Sequence, residues 1–86
     1  MSFDRDRWWR GQFARLLALE LRGREPRSLE NRWLLLASRT WGDRRWTVSF
    51  DVPIPIYHVL DDADVRSKDR RYAEHQWQAA SEWLNG

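Results

Sequence analysis

Residues 1–86 are expected to form a single small domain with an α+β fold. The predicted order is a helix, a β-hairpin of two or three strands, and a second helix, with both helices packed on one face of the sheet. Three patterns predict this fold. Apolar residues recur with the 3.6-residue helical period near each end of the chain, and they alternate with polar residues in the middle.

Residues 4–22 are predicted to form the first helix. Asp4 is a suitable N-cap, and Gly23 is placed to end the helix at its C-terminal side. The helical period produces a wide apolar stripe, made of Trp9, Phe13, Leu16, Leu17, Leu19 and Leu21. Glu20 projects into this stripe, and a buried carboxylate needs a cation or several hydrogen-bond donors.

Residues 28–41 are compatible with a helix or with a strand. As a strand they form a hairpin with residues 44–52 around the turn Gly42-Asp43, which begins with glycine. The alternating apolar residues on the second arm are Trp46, Val48, Phe50, Val52, Ile54 and Ile56. They predict a half-buried strand over 46–52, and a lone strand leaves its backbone groups unpaired. The need for a partner strand favours the hairpin. Its register places Arg39 beside Trp46 on the apolar face, which makes Arg39 the expected partner of the Glu20 carboxylate.

The C-terminal part of the chain is predicted to be an edge strand followed by a helix. Pro53 and Pro55 cannot donate to a ladder, so residues 54–60 form at most an edge strand. Residues 65–84 follow the helical period, and either Asp64 or Ser67 is expected to cap that helix.

The charges are distributed unevenly along the chain. Residues 1–45 hold eleven arginines against six acidic residues, a net of +5, whereas residues 46–86 carry a net charge of −3. Arginine forms bidentate contacts with carboxylates and phosphates and stacks on aromatic rings, so the basic half is the candidate binding surface. GC-rich coding also favours arginine, and the sequence does not separate the two causes. The predicted partner-binding residues are Arg7, Trp8, Arg10, Arg15, Arg22, Arg24, Arg44 and Arg45.

The sequence contains few residues arranged for catalysis or for metal binding. There is no cysteine, and no nucleophile motif or phosphate-binding glycine loop is present. His58 with the nearby aspartates Asp61, Asp62 and Asp64 is interpreted as a solvated acidic turn before the last helix. His75 is interpreted as a surface histidine. We therefore expect no enzyme activity, no catalytic or metal-binding residue and no cofactor.

The expected function is that of a protein-binding module, since tryptophan and arginine are the residues most enriched in interface hot spots. Its partner is expected to carry an acidic patch. Small chains of this kind include phage and mobile-element products that block a host nucleic-acid-handling complex, anti-CRISPR proteins among them. The alternative is an arginine- and tryptophan-rich nucleic-acid-binding protein.

The longest apolar run, residues 33–37, is too short to cross a bilayer, and the charged N-terminus does not resemble a signal peptide, so we expect a cytoplasmic protein without membrane contact. The oligomeric state is not predicted.

Overall fold

The computed structural model describes residues 4–41, 48 and 50–86, and helices account for most of them. The helices are α1 (Arg5–Leu21), α2 (Pro26–Trp41), α3 (Ile54–Asp61), α4 (Ala63–Lys68) and α5 (Arg70–Asn85). No strand occurs within the described residues, so the prediction of an α+β fold with helices on one sheet face is wrong.

Helix α1 follows the sequence prediction closely. Its N-cap Asp4 accepts a hydrogen bond from the backbone N–H of Arg7 at 3.1 Å. After the helix, Gly23 has a φ of 106°, which only glycine adopts without strain. Trp9 and Phe13 are fully buried, whereas Leu21 is 51% exposed, so the apolar stripe is narrower than predicted.

Residues 28–41 belong to helix α2 and not to a hairpin arm. Pro26 begins the helix at a position where a missing N–H costs no hydrogen bond. The buried residues of α2 follow the helical period and are Leu29, Trp33, Leu36, Ala37 and Thr40. Of the predicted partner strand 46–52, residues 48 and 50–52 are not in a strand, and the remainder lies outside the described residues together with the predicted Gly42-Asp43 turn.

The segment after residue 53 also differs from its prediction. Residues 54–60 are part of helix α3, because prolines at the N-cap and in the first turn interrupt no intrahelical hydrogen bond there. The predicted helix 65–84 is divided at Asp69, which has an extended backbone conformation and caps α5 by accepting from Tyr72 N at 3.1 Å. Ser67 does not cap α5, and its hydroxyl donates to the Asp64 carbonyl at 2.6 Å.

The core lies where α2 packs against α1, α3 and α4, and where α5 covers α1, α3 and α4. Aromatic rings dominate its centre. The Phe13 ring stacks on Trp9 at 5.3 Å between centroids and meets Trp33 and Trp83 edge-on at 5.5 Å. Val48 is buried as predicted, while Phe50 is half-buried against this cluster. Among the described residues, no helix has the length and apolar composition needed to span a bilayer.

Candidate partner-binding surface

A groove runs between α1 and α2 on the outer side of the molecule. Its first cavity has a volume of about 190 Å³ and is lined by Trp8, Gln12, Leu16, Arg32, Leu35, Leu36 and Arg39. Leu16 and Leu36 are buried and form the floor, whereas Leu35 is 58% exposed at the rim. This end of the groove therefore has an apolar floor bordered by arginines.

A second cavity continues the groove toward the turn between the two helices. Its volume is about 290 Å³, and its lining consists of Arg15, Leu19, Arg24, Ser28, Leu29 and Arg32. Arg32 lines both cavities, which therefore lie next to each other between α1 and α2, and the two together are called the groove. None of the described residues that line either cavity is acidic. The groove is therefore positively charged, and an acidic partner is electrostatically favoured.

Two buried indole hydrogen bonds hold the walls of the groove together. Trp9 Nε1 of α1 donates to Thr40 Oγ1 of α2 at 2.6 Å, and Trp33 Nε1 of α2 donates to Glu20 Oε1 of α1 at 2.9 Å. One bond joins the first half of α1 to the last turn of α2, and the other joins the last turn of α1 to the middle of α2. Together they connect the two helices at two separate levels.

The predicted partner-binding residues are only partly brought together. Trp8, Arg15 and Arg24 line the groove. The Arg10 guanidinium instead stacks on the rings of Phe50 and Trp83, with Cζ at 4.9 and 4.7 Å from their centroids. Arg7 and Arg22 are exposed but line neither cavity, and Arg44 and Arg45 lie outside the described residues.

Sequence reasoning missed the α2 half of the groove. Arg32, Leu35 and Arg39 recur at helical spacing, which would have indicated a common face had residues 28–41 been assigned to a helix. Trp8, predicted only as a partner-binding residue, is partly buried and also packs against the core.

Glu20 and Arg66 form a buried ion pair at the centre of the molecule. Their side chains are fully buried, and Arg66 Nε donates to Glu20 Oε2 at 2.9 Å. The Trp77 indole also donates to Oε2, while Arg66 Nη1 donates to the Val59 carbonyl at 2.6 Å and to Gln76 Oε1 at 2.7 Å. The prediction that Glu20 is buried is confirmed, but its partner is Arg66 and not Arg39. With both oxygens occupied by donors, this carboxylate has a structural role.

The acidic turn before the last helices contributes a second polar cluster. Asp62 accepts hydrogen bonds from the Tyr72 hydroxyl and, at 3.2 Å, from Gln76 Nε2. The hydrogen bond to Asp62 raises the pKa of Tyr72 above its ordinary value. His58 and His75 are exposed. Within the described residues, no group of three or more histidine, aspartate or glutamate side chains is arranged to hold a metal ion.

Comparison with models of known protein families, with curated proteins and with solved structures finds no match for this chain. Its function must therefore be inferred from the chemistry of its own surface.

Proposed function

We propose that this protein is a non-enzymatic binding module that docks onto an acidic surface of a protein partner through the α1–α2 groove. The observation that carries the proposal is the combination of an apolar floor with arginines and no acidic residue among the described residues of the lining. An inhibitor of a host nucleic-acid-handling complex, of the anti-CRISPR kind, is one role that such a module would serve.

The size and composition of the groove support a protein partner over a free small molecule. Each of the two cavities, at about 190 and 290 Å³, is smaller than the roughly 300–1,000 Å³ typical of ligand pockets. A single large apolar side chain of a partner is a better match for the apolar cavity beside Trp8. Apolar pockets surrounded by polar groups are also where interface hot spots concentrate.

The alternative, nucleic-acid binding, depends on many arginines being available to phosphates. Some of them contact other groups of the chain instead. Arg66 is buried in the ion pair with Glu20, and Arg70 pairs with Glu74 at 3.0 Å while covering the Trp77 ring. The apolar floor of the groove offers nothing to a phosphate backbone, so a protein partner is favoured.

The test is affinity capture from a cell lysate with and without nuclease, using the wild type and two variants. Leu35→Glu places a charge at the groove rim, and Leu34→Glu is the matched control, because Leu34 is a neighbour on α2 that is 42% exposed and lines neither cavity. We expect a nuclease-resistant protein partner that Leu35→Glu loses and Leu34→Glu retains. Leu35 is a better probe than Trp8, because replacing Trp8 would also disturb the core.

Direct titration with oligonucleotides tests the alternative. We expect no sub-micromolar binding at about 150 mM salt, where contacts with phosphates would make affinity fall steeply with salt. Capture that disappears with nuclease, together with oligonucleotide binding that Arg32→Glu abolishes, would establish the nucleic-acid function instead.

A further inference from the structure

We propose that the segment of the partner that occupies the α1–α2 groove is an amphipathic helix, with an apolar ridge bordered by aspartates or glutamates. This inference rests on the proposed function and adds the secondary structure and chemistry of the docking segment.

The groove consists of two adjacent cavities between two rows of side chains at helical spacing. The row on α1 consists of Trp8, Gln12, Arg15 and Leu19, and the row on α2 consists of Ser28, Arg32, Leu35 and Arg39. The eleven-residue step from Trp8 to Leu19 corresponds to about 16 Å at a helical rise of 1.5 Å per residue. A partner helix of about three turns would therefore cover the full length of the groove.

The chemistry of the groove differs between its two ends. Near Trp8 the apolar side chains of Leu16, Leu35 and Leu36 surround the first cavity. Near the turn, three guanidinium groups border the second cavity, those of Arg15, Arg24 and Arg32. Among the described residues, these three form no ion pair or hydrogen bond with a side chain. A complementary segment therefore needs apolar residues for the floor and carboxylates for the guanidinium groups.

The secondary structure of the occupant follows from the architecture of the walls. Strand addition requires an exposed sheet edge, and the described residues provide none. Two adjacent helices instead present ridges of side chains, between which a third helix packs at an interaxial distance of about 8–10 Å. The occupant would then contact the groove through residues spaced i, i+3 or i+4, and i+7.

Two buried hydrogen bonds between α1 and α2 also hold the walls of the groove together. The indole hydrogen bonds of Trp9 with Thr40 and of Trp33 with Glu20 connect the two helices at two levels in the free protein. A preformed groove reduces the ordering cost of association. Most of that cost is then borne by the partner segment, which is expected to become helical as it binds.

The experiment uses a displayed library of random peptides about 16 residues long, long enough for the three-turn contact. The full-length wild type is the target, and Leu35→Glu protein removes peptides that bind elsewhere. We expect enriched peptides with apolar residues at i, i+3 or i+4, and i+7, and with acidic residues beside them. A synthetic copy of the most enriched peptide should gain helical circular dichroism on binding.

Matched variants then locate the peptide on the surface. We expect Leu35→Glu and Arg32→Glu each to weaken its binding at least about tenfold, equivalent to about 1.4 kcal/mol. Leu34→Glu and Arg27→Glu introduce the same charges on an adjacent exposed face of α2 and should change the affinity less than about twofold.

Three outcomes would overturn the inference. They are enrichment of no peptide, enrichment of peptides without helical spacing or acidic residues, and tighter binding of a single-stranded oligonucleotide than of any peptide. If affinity capture still yields a nuclease-resistant partner that Leu35→Glu loses, the proposed function stands and only the helical occupant is refuted.

Discussion

The buried ion pair between Glu20 and Arg66 links α1 to α4, and Glu20→Gln removes its charge with little change of shape. Oε1 accepts from Trp33 Nε1 at 2.9 Å and from Arg66 Nη2 at 3.2 Å, and Oε2 accepts from Arg66 Nε and from the Trp77 indole. Glutamine replaces one of these oxygens with an NH2 donor. Each carboxylate oxygen accepts from two N–H groups, so in either orientation of the amide the new NH2 group points at two N–H donors and cannot accept from them. The positive charge of Arg66 is also left without a counterion.

The expected cost is large for a chain of this size. Removing one member of a buried ion pair typically costs about 3–5 kcal/mol. At about 0.05–0.15 kcal/mol per residue, the whole free energy of unfolding of an 86-residue protein is roughly 4–13 kcal/mol. With about 4–8 °C per kcal/mol for a domain of this length, the melting temperature should fall by roughly 12–40 °C.

Urea denaturation followed by circular dichroism measures this change, with Glu74→Gln as the control. Glu74 makes the same kind of ion pair with Arg70 at 3.0 Å, but the Arg70 and Glu74 side chains are 78% and 60% exposed. An exposed pair contributes about 0–1 kcal/mol, so Glu74→Gln should hardly change the urea midpoint.

Arg66→Met provides the second arm of a double-mutant cycle. This variant leaves the Val59 carbonyl and Gln76 Oε1 without their donor, so it should also be strongly destabilised. The double variant should lose clearly less stability than the sum of the single losses, because both remove the same interaction. A Glu20→Gln protein as stable as Glu74→Gln, or strictly additive losses, would refute the structural role assigned to this pair.

Two further predictions concern the core and the alkaline pH range. Phe13→Ala should lower the free energy of unfolding, measured by urea denaturation, by roughly 3–5 kcal/mol because Phe13 is fully buried. Ile54→Ala should change it by less than about 0.5 kcal/mol because Ile54 is 71% exposed. Similar losses at both positions would contradict this packing. The hydrogen bond to Asp62 raises the pKa of Tyr72, because only the protonated hydroxyl can donate it. The stability that this hydrogen bond contributes is therefore present below pH ~10 and is lost as the pH rises through the raised pKa. Tyr72→Phe should therefore weaken the fall in stability above pH ~10, and an unchanged alkaline profile would argue against the Tyr72–Asp62 bond.

Helix α1 could be predicted from the sequence because its determinants are local. The cap at Asp4, the stop at Gly23 and the spacing of Trp9 and Phe13 all lie within the segment. The need of Glu20 for a hydrogen-bond donor could also be predicted locally, because a carboxylate buried among apolar side chains requires a donor in any fold. The identity of that partner could not be predicted, because Arg66 lies 46 positions away and only the packing of α4 against the core brings it close.

The error at residues 28–41 arose from a non-local requirement. The apolar spacing of Leu29, Trp33 and Leu36 is compatible with a helix, but the alternation over 46–52 favours the hairpin because a strand needs a partner strand. In the structure Val52 is buried without belonging to a strand. Val48, Val52 and Ile56 of the alternating run are buried but Ile54 is exposed, so the alternation specifies neither a ladder nor every side chain that faces the core.

The candidate binding surface also has some features that the local sequence determines and others that depend on tertiary contacts. The sequence alone determined that Arg7 and Arg15 would lie outside the apolar stripe of α1, because a helical period assigns each residue to a face. Only the tertiary structure decided that Arg32, Leu35 and Arg39 of α2 lie opposite Trp8 and Arg15. The groove is formed by side chains of both α1 and α2, so its shape depends on the relative position of the two helices. That position is set by contacts between residues of different helices, including those of Trp9 with Thr40 and of Trp33 with Glu20.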